Sequence, residues 1–578
     1  MTMKKVFNLI LSLSMSFGLV GCSQKKLANG EVTVLYTNDV HGYINNKVKN
    51  ENDEEVDGLS YANVKALKDD LISEGKNVLL VDAGDHTQGT AYSSMSEGID
   101  MIDIMNEVGY DLATLGNHEF DYGQYQAFKF MDEANFDYVS CNFYTTEDNK
   151  LVLEPYKILE AGDLKIAFVG VSTPETISSS TPSYFQDEDG NYVYNFYSGE
   201  DGQELYDSVQ SAIDEASKEA DVVIGLGHLG VYDSAAPYRS IDVIENTTGL
   251  DAFIDGHSHT EIEGEIIQDK DGNDVVLTQT KSYLAYIGEM NITVTDGKVS
   301  VSTQLIDSYD SEDETVKEME DKIVEQADEE LNVKVAEESV PFYISDPETG
   351  ERLVRKMETN SGDITADAFY WYFNEEKEME CDVAINNGGG VRGDFPNGIL
   401  TYGDCKTVMP FGNVICLVKV TGQTLLDALE NGAISLPDET AIQHCAGMKY
   451  SVDTSIESTV QVDENGLWTG GPTGEYRVHD VEIYNKETGE YEPLDLEKTY
   501  TLAGNNYTLR NGGGGMTMLR DDAELVLDYV GEDYMIFADY LKSFTNNSIK
   551  TENSPLASYK NYLINYENLY GSGRITIE

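Results

Sequence analysis

The chain has 578 residues, with 38 Lys and Arg against 105 Asp and Glu and a formal net charge of −67. That length is too great for one hydrophobic core and makes two large domains the default, and a 40% hydrophobic share with abundant Tyr excludes a disordered chain. The charge excludes binding of nucleic acid polymers as a main task, because affinity for a phosphate backbone comes from Lys and Arg; otherwise it describes a solvated surface and says little about fold.

The N-terminus reads MTMKKVFNLILSLSMSFGLVGCSQKK. Lys4 and Lys5 precede an apolar run from Val6 to Val20, shorter than the ~20 residues of a spanning helix. These are the parts of a secretory signal. Leu19-Val20-Gly21-Cys22 resembles a bacterial lipobox, in which the Cys is acylated and becomes the mature first residue. The competing reading is an ordinary signal with an incidental Cys. No other segment is long and apolar enough to span a membrane. The expectation is an exported protein, lipid-anchored through Cys22 to the outer face of the cell membrane.

After a short tether the pattern is strand, loop, helix, repeated. EVTVLYT, NVLLVDA, DLATLG, LKIAFVGV, DVVIGLG and LDAFIDG are short apolar runs closed by polar or Gly residues, and helical stretches such as 60–73 and 203–219 lie between them. That alternation predicts a layered α/β domain. From about residue 311 the chain becomes strongly charged, and Val316, Met319, Ile323, Ala327 and Leu331 recur at helical spacing. This predicts a connecting helix. A second α/β region starts near Val340, with Gly-rich turns at NNGGGVRGD (386–394) and RNGGGG (510–515). Cys141, Cys381, Cys405, Cys416 and Cys445 show no paired spacing and read as small buried apolar side chains.

Of eight His, six precede residue 260: His41, His86, His118, His228, His257 and His259. Five of these sit where an apolar strand gives way to a polar loop: Asn38-Asp39-Val40-His41, Asn117-His118, His228 and His257-Ser258-His259, with Asp85 at a further strand end. In a layered α/β domain, sites form beyond the carboxyl ends of the strands. A single loop histidine is usually solvated or structural; several strand ends delivering Asp, His and Asn to one edge predict a metal site. Imidazole with carboxylate and amide oxygen suits Zn, Mn, Fe or Co better than Ca. About seven ligands are too many for one tetrahedral ion, so two divalent ions sharing a bridging carboxylate are expected.

NDVHG (38–42), GD (84–85), GNHEFD (116–121), GH (227–228) and GHSH (256–259) resemble the signature blocks of calcineurin-like metallophosphoesterases. NNGGGVRGD and MPFGN (409–413) resemble the C-terminal domain of the 5′-nucleotidase family, in which a long helix joins a metallophosphatase domain to a substrate-binding domain. The resemblance implies an α/β (α+β) chain: signal peptide 1–21, tether 22–30, a four-layer metallophosphoesterase sandwich 31–308, linker helix 309–336 and a substrate-binding α/β domain 337–578. It also implies that Asp39, His41, Asp85 and His259 hold one metal, that Asp85, Asn117, His228 and His257 hold the other with Asp85 bridging, and that His118 and Asp121 form the catalytic pair. Some members carry Gln or Asn in place of His259. Glu119 reads as structural, and His86 as a residue behind the ligands or on the surface.

Only Arg239 of eight Arg lies in the first 350 residues, so an Arg clamp on phosphate must come mostly from the second domain. Arg392 in the GGGVR turn is the first candidate and Arg355 the second. Asn387 matches a family substrate-binding position, and Phe411 and Tyr507 match the aromatics that sandwich a base in the family. The family's GGDG block is here Gly512-Gly513-Gly514-Gly515, with Gly514 where an Asp holds the ribose hydroxyls, which predicts weaker ribose discrimination. The expected activity is phosphate release from nucleoside 5′-monophosphates by metal-activated water, with nucleotides or other small phosphate esters as partners. The alternatives are a 2′,3′-cyclic nucleotide phosphodiesterase, a hydrolase of nucleotide sugars or nucleoside di- and triphosphates, or a non-catalytic surface binding protein.

Overall fold

A computed structural model describes residues 27–578 except 45–46, 50–54, 181, 188–190, 200, 233–234, 396, 464 and 528–529. The expected signal peptide and Cys22 lie outside the described residues. All six apolar runs are strands. Gly30–Thr37, Val78–Asp82, Leu112–Thr114 and Asp137–Val139 run parallel in one six-stranded sheet, which Ile287–Thr295 and Lys298–Ile306 extend antiparallel. Leu164–Ser172, Val222–His228, Ala252–Ile254 and Asp274–Thr280 run parallel in a second, flanked antiparallel by Tyr156–Ala161 and Glu261–Gln268.

The period-two alternation of strands sorts these residues into layers. Val32, Val34 and Tyr36 face the inter-sheet core with Phe168, Ile224, Leu226 and Ile254. Leu35 points the other way, into the core under helices Tyr61–Ser73 and Ile99–Val108. Helices Gln203–Ala216 and Ser240–Asn246 cover the far side of the second sheet. The result is four layers, helix on sheet on sheet on helix.

The connecting helix is Glu314–Leu331, capped by Asp313, whose Oδ1 accepts from Thr315 N and Val316 N at 3.0 Å each. Val316, Met319 and Ile323 pack into the first-domain core. Buried Glu320 accepts from Ser60 Oγ at 3.0 Å and from Tyr61 N at 2.9 Å, so it pins this helix to the start of Tyr61–Ser73.

Beyond the helix, Lys334–Ala336 already pairs with Leu400–Thr401 of the second domain. There a five-stranded sheet orders Gln443–Ala446, Val383–Asn387, Thr499–Asn505, Ile415–Thr421 and Glu524–Leu527. Ala384 and Ala503 pack against Asn360–Trp371, while Val383, Ile385 and Leu502 pack under Gly422–Gly432 on the other face. Val383–Asn387 and Thr499–Asn505 are parallel neighbours, so their carboxyl ends present Asn387 and the 506–515 turns at one edge. Cys141, Cys381, Cys405, Cys416 and Cys445 are buried and form no disulfide, as their spacing implied.

Candidate dimetal site and interdomain cavity

The parallel strands of the first domain deliver their polar loops to one edge. Three sets of donor atoms converge within 4.8 Å: Asp39, His41 and His259; Asp85, His228 and His257; and His41, Asp85 and His118. Asn117 joins the second set, its Oδ1 lying 2.9 Å from His257 Nδ1. The expected ligands are thus brought together, with Asp85 between the two halves.

The backbone is bent to achieve this. Asp39, His41, Asp85, His257 and His259 have φ of 49°, 53°, 59°, 73° and 52°, a left-handed region that costs a non-glycine residue energy and recurs at functional sites. Adjacent loops lock one another, with Asp39 N donating to Gly84 O and His41 N to Asp85 O, each at 2.9 Å. Gly116 has no room for a side chain, because a Cβ there would lie 2.2 Å from Asp85 Oδ1. Glu119 is structural, as its position suggested: its buried carboxylate accepts from Asp85 N, His86 N and Gly116 N at 2.8–2.9 Å. His86 is fully buried, held by Asp82 Oδ1 and Tyr138 OH at 2.8 Å each, so it lies behind the ligands rather than on the surface.

The donor set fits divalent ions. His41 Nδ1–H donates to Gln88 O at 2.8 Å, which turns the lone pair of Nε2 toward His259 Nε2, 3.1 Å away. His228 Nδ1–H donates to Ala83 O at 2.7 Å, leaving Nε2 buried 3.1 Å from Asp85 Oδ2 without hydrogen-bond geometry. Burial pushes the imidazoles of His41 and His259 well below their ordinary range and Asp39 up to about 8. Burial also acts upward on Asp85, but the imidazoles of His228, His118 and His41 outweigh it and hold the carboxyl well below its usual value. Burial acts downward on His228, but the charges of Asp85 and Asp39 outweigh it and raise the imidazole to about 10, so its proton supplies the positive charge among the carboxylates that a divalent ion supplies on displacing it.

His118 Nδ1–H donates to Asp121 Oδ2 at 2.5 Å, and Asp121 Oδ1 accepts from Ser180 Oγ at 3.1 Å. Burial would lower the imidazole, yet the charges of Asp121 and Asp85 raise it above its ordinary value. Those charges favour the protonated ring, whose Nε2 stands 4.0 Å from Asp85 Oδ2.

A cavity of about 320 Å³ between the two domains opens onto this cluster, and Asp85, Asn117, His118, Asp121, His257 and His259 line its first-domain wall. The second domain contributes Arg355, Asn387, Arg392, Phe411, Tyr507 and Gly514. Phe411 stacks on His118 at 5.8 Å, and the Arg392 guanidinium lies 5.6 Å from the Phe411 ring centroid. Tyr507 OH donates to Ser178 O at 3.1 Å across the domain boundary. Gly514 has a left-handed φ of 64°, and a Cβ there would crowd Ala441 at 3.2 Å.

Sequence reasoning did not single out Arg352, Glu175, Tyr232, Asn431 and Glu439, which line the same cavity. Arg352 carried a usable signal: it stands three residues before Arg355 in a chain with few Arg. The others carried none, because they are ordinary polar residues whose importance comes from tertiary placement.

A family model described as calcineurin-like phosphoesterase matches residues 32–261, and one described as 5′-nucleotidase, C-terminal domain, matches 336–521. The chain is 26% identical over 553 residues to a 5′-nucleotidase of Vibrio parahaemolyticus, covering 87% of this chain and 93% of that one. It is 26% identical over 558 residues to the trifunctional nucleotide phosphoesterase protein YfkN of Bacillus subtilis, covering 89% of this chain and 34% of YfkN, so it spans about a third of that protein. The solved 5′-nucleotidase precursor from Thermus thermophilus superposes with a TM-score of 0.77 at 26% identity, over 95% of this chain and 99% of that one. Two family models in this order on one chain, with likeness along nearly its whole length to proteins named 5′-nucleotidase, show that it belongs to the 5′-nucleotidase family of metal-dependent phosphoesterases.

Proposed function

We propose that this protein releases phosphate from nucleoside 5′-monophosphates with two divalent ions, one held by Asp39, His41, Asp85 and His259 and the other by Asp85, Asn117, His228 and His257. The observation that carries this reading is the interdomain cavity that joins the Asp/His cluster on one wall to three Arg and two aromatic rings on the other. The names of the relatives support the same substrate class.

When bound, the ions supply Lewis acidity toward phosphoryl oxygens and a lowered pKa for the attacking water. The chain's own residues do the rest. Arg392, Arg355 and Arg352 neutralise and orient the phosphate by charge-assisted hydrogen bonds. Asn387 adds a neutral contact from the adjoining turn. Phe411 and Tyr507 offer flat apolar surface to the base. His118, protonated and aligned by Asp121, donates its Nε2 proton to the charge that develops as the ester oxygen departs. The domain limits 31–308, 309–336 and 337–578 are part of the proposal, as is export with lipid anchoring at Cys22.

The test is metal-dependent phosphate release by the chain starting at Ser23 from AMP, dAMP, ADP, UDP-glucose, 2′,3′-cyclic AMP and an aryl phosphate. Turnover of AMP or dAMP above the others supports the reading. Turnover of the cyclic nucleotide or aryl phosphate alone keeps the metal chemistry and overturns the reading of the second domain. Two bound metals without turnover of any substrate overturns the enzymatic reading.

A further inference from the structure

His257 differs from the other candidate ligands in what lies behind its ring. Nδ1 faces inward, 2.9 Å from Asn117 Oδ1, and it belongs to the donor set of Asp85 and His228. Nε2 faces outward, 3.1 Å from Glu175 Oε2. His41 and His228 have backbone carbonyls in that outer position. Among the four imidazoles proposed as ligands, the hydrogen bonds of the described residues place a carboxylate on the outer nitrogen of His257 alone; His118, whose Nδ1 meets Asp121, is assigned to proton transfer and not to the ions.

Glu175 is held in place to do this. It is the N-terminal flanking residue of the short helix Thr176–Ser179, and its own amide donates to Thr173 Oγ1 at 3.2 Å. Its carbonyl accepts from Ser178 N at 3.0 Å and from Ser179 N at 2.7 Å. At the end of the segment Ser180 Oγ donates to Asp121. From the second domain, Tyr507 OH donates to Ser178 O. The Glu175 side chain itself is only about one-third exposed and borders the cavity.

We propose that Glu175 is a positioning residue for His257. Its carboxylate accepts the Nε2 proton, fixes the tautomer that leaves the Nδ1 lone pair facing Asn117 and Asp85, and makes that nitrogen a stronger donor to one of the two ions. Carboxylates behind ligating imidazoles act in this way, and removing them typically costs ~10–100-fold in metal affinity. The inference rests on the dimetal reading above but not on the nucleotide substrate.

The experiment loads wild type, Glu175→Gln and Glu175→Ala with Zn²⁺, then follows zinc transfer to a chromogenic chelator and the melting temperature of the zinc-free proteins. Two zinc ions per chain are expected for wild type. In Glu175→Ala one ion should leave ~10–100-fold faster, while the release of the other and the zinc-free melting temperature stay unchanged. Glu175→Gln keeps a neutral acceptor and should fall between. Equal release in all three proteins overturns the role of Glu175 alone. Faster release of both ions together with a lowered zinc-free melting temperature assigns Glu175 to general loop stability and also overturns it. Fewer than two zinc ions in wild type overturns the dimetal reading on which it rests.

Discussion

On the proposed assignment, His118 and Asp121 work as one unit, and a double-mutant cycle tests this directly. The Nδ1–Oδ2 contact is 2.5 Å in a largely buried setting, the geometry of a charge-assisted hydrogen bond. Such bonds contribute about 1.5–3 kcal/mol, which converts to a loss of ~10–150-fold in kcat when the pair is broken. Asp121→Asn keeps the shape but removes one acceptor: the amide cannot accept from both His118 Nδ1–H and Ser180 Oγ–H without turning its NH₂ toward one of them. His118→Ala removes the acid itself and should cost ~10²–10⁴-fold. Because Asp121 acts only through His118, the double variant should be no slower than His118→Ala. Metal content should remain at wild-type level in all three, since the contact of residue 118 with Asp85 Oδ1 is made by its backbone amide, which Ala retains. The assay is kcat for phosphate release at saturating metal, with metal counted in the same samples. Multiplicative losses in the double variant would refute the coupling. Loss of metal from His118→Ala would refute its assignment to proton transfer and make it a structural residue.

The remaining predictions concern other parts of the molecule. Chelation should lower the melting temperature, because an ion at 1,000-fold excess over its Kd stabilises by about 4 kcal/mol per site; an unchanged calorimetric trace with chelator refutes structural coupling of the ions. Arg392→Ala should reduce kcat/KM by ~10–100-fold with metal retained, and Lys should rescue little because it lacks the planar fork; full activity in either variant removes Arg392 from the phosphate clamp. AMP and dAMP should have kcat/KM within about tenfold of each other, since no carboxylate stands at Gly514 and its left-handed backbone beside Ala441 disfavours one; a strong ribose preference sinks this. Glu320, pushed up to about 7 by burial, binds its proton more tightly folded than unfolded, so its contribution is fully present below about pH 4.5 and is lost as pH rises to about 7. Glu320→Gln should flatten that decline, at most about 3 kcal/mol, in denaturant titrations between pH 5 and 8; parallel curves for both proteins refute it.

What could be read before the structure follows from how local each signal is. The six apolar runs became strands because burial on both faces of a parallel strand writes itself as continuous Val, Ile and Leu. The ligand loops were legible because the residues that chelate must lie within a few positions of a strand end. Glu175 and Arg352 were not singled out for the opposite reason. Glu175 reaches His257 across 82 positions of sequence, with nothing local to mark it. The left-handed backbone at Asp39, His41, Asp85, His257 and His259 was equally hidden, since only tertiary packing makes a non-glycine residue adopt it. Phe411 matched a base-stacking position, yet its ring also lies against His118, a contact that depends on how the two domains meet.

The charge distribution joins these pieces. A net charge of −67 opposes the approach of any anionic substrate, and the sequence offers no basic patch to steer one in. At physiological salt the Debye length of ~8 Å confines that repulsion to the last stages of approach. Inside the cavity the balance is local. Arg352, Arg355 and Arg392 are three of only eight Arg in the chain, and all three line the wall that faces the Asp/His cluster. The Nε of both Arg352 and Arg355 is buried without a hydrogen-bond partner, although Glu439 Oε2 stands 3.7 Å from Arg355. Burying guanidinium donors without partners is costly. On the proposed function, phosphate oxygens accepting from those donors would offset that cost.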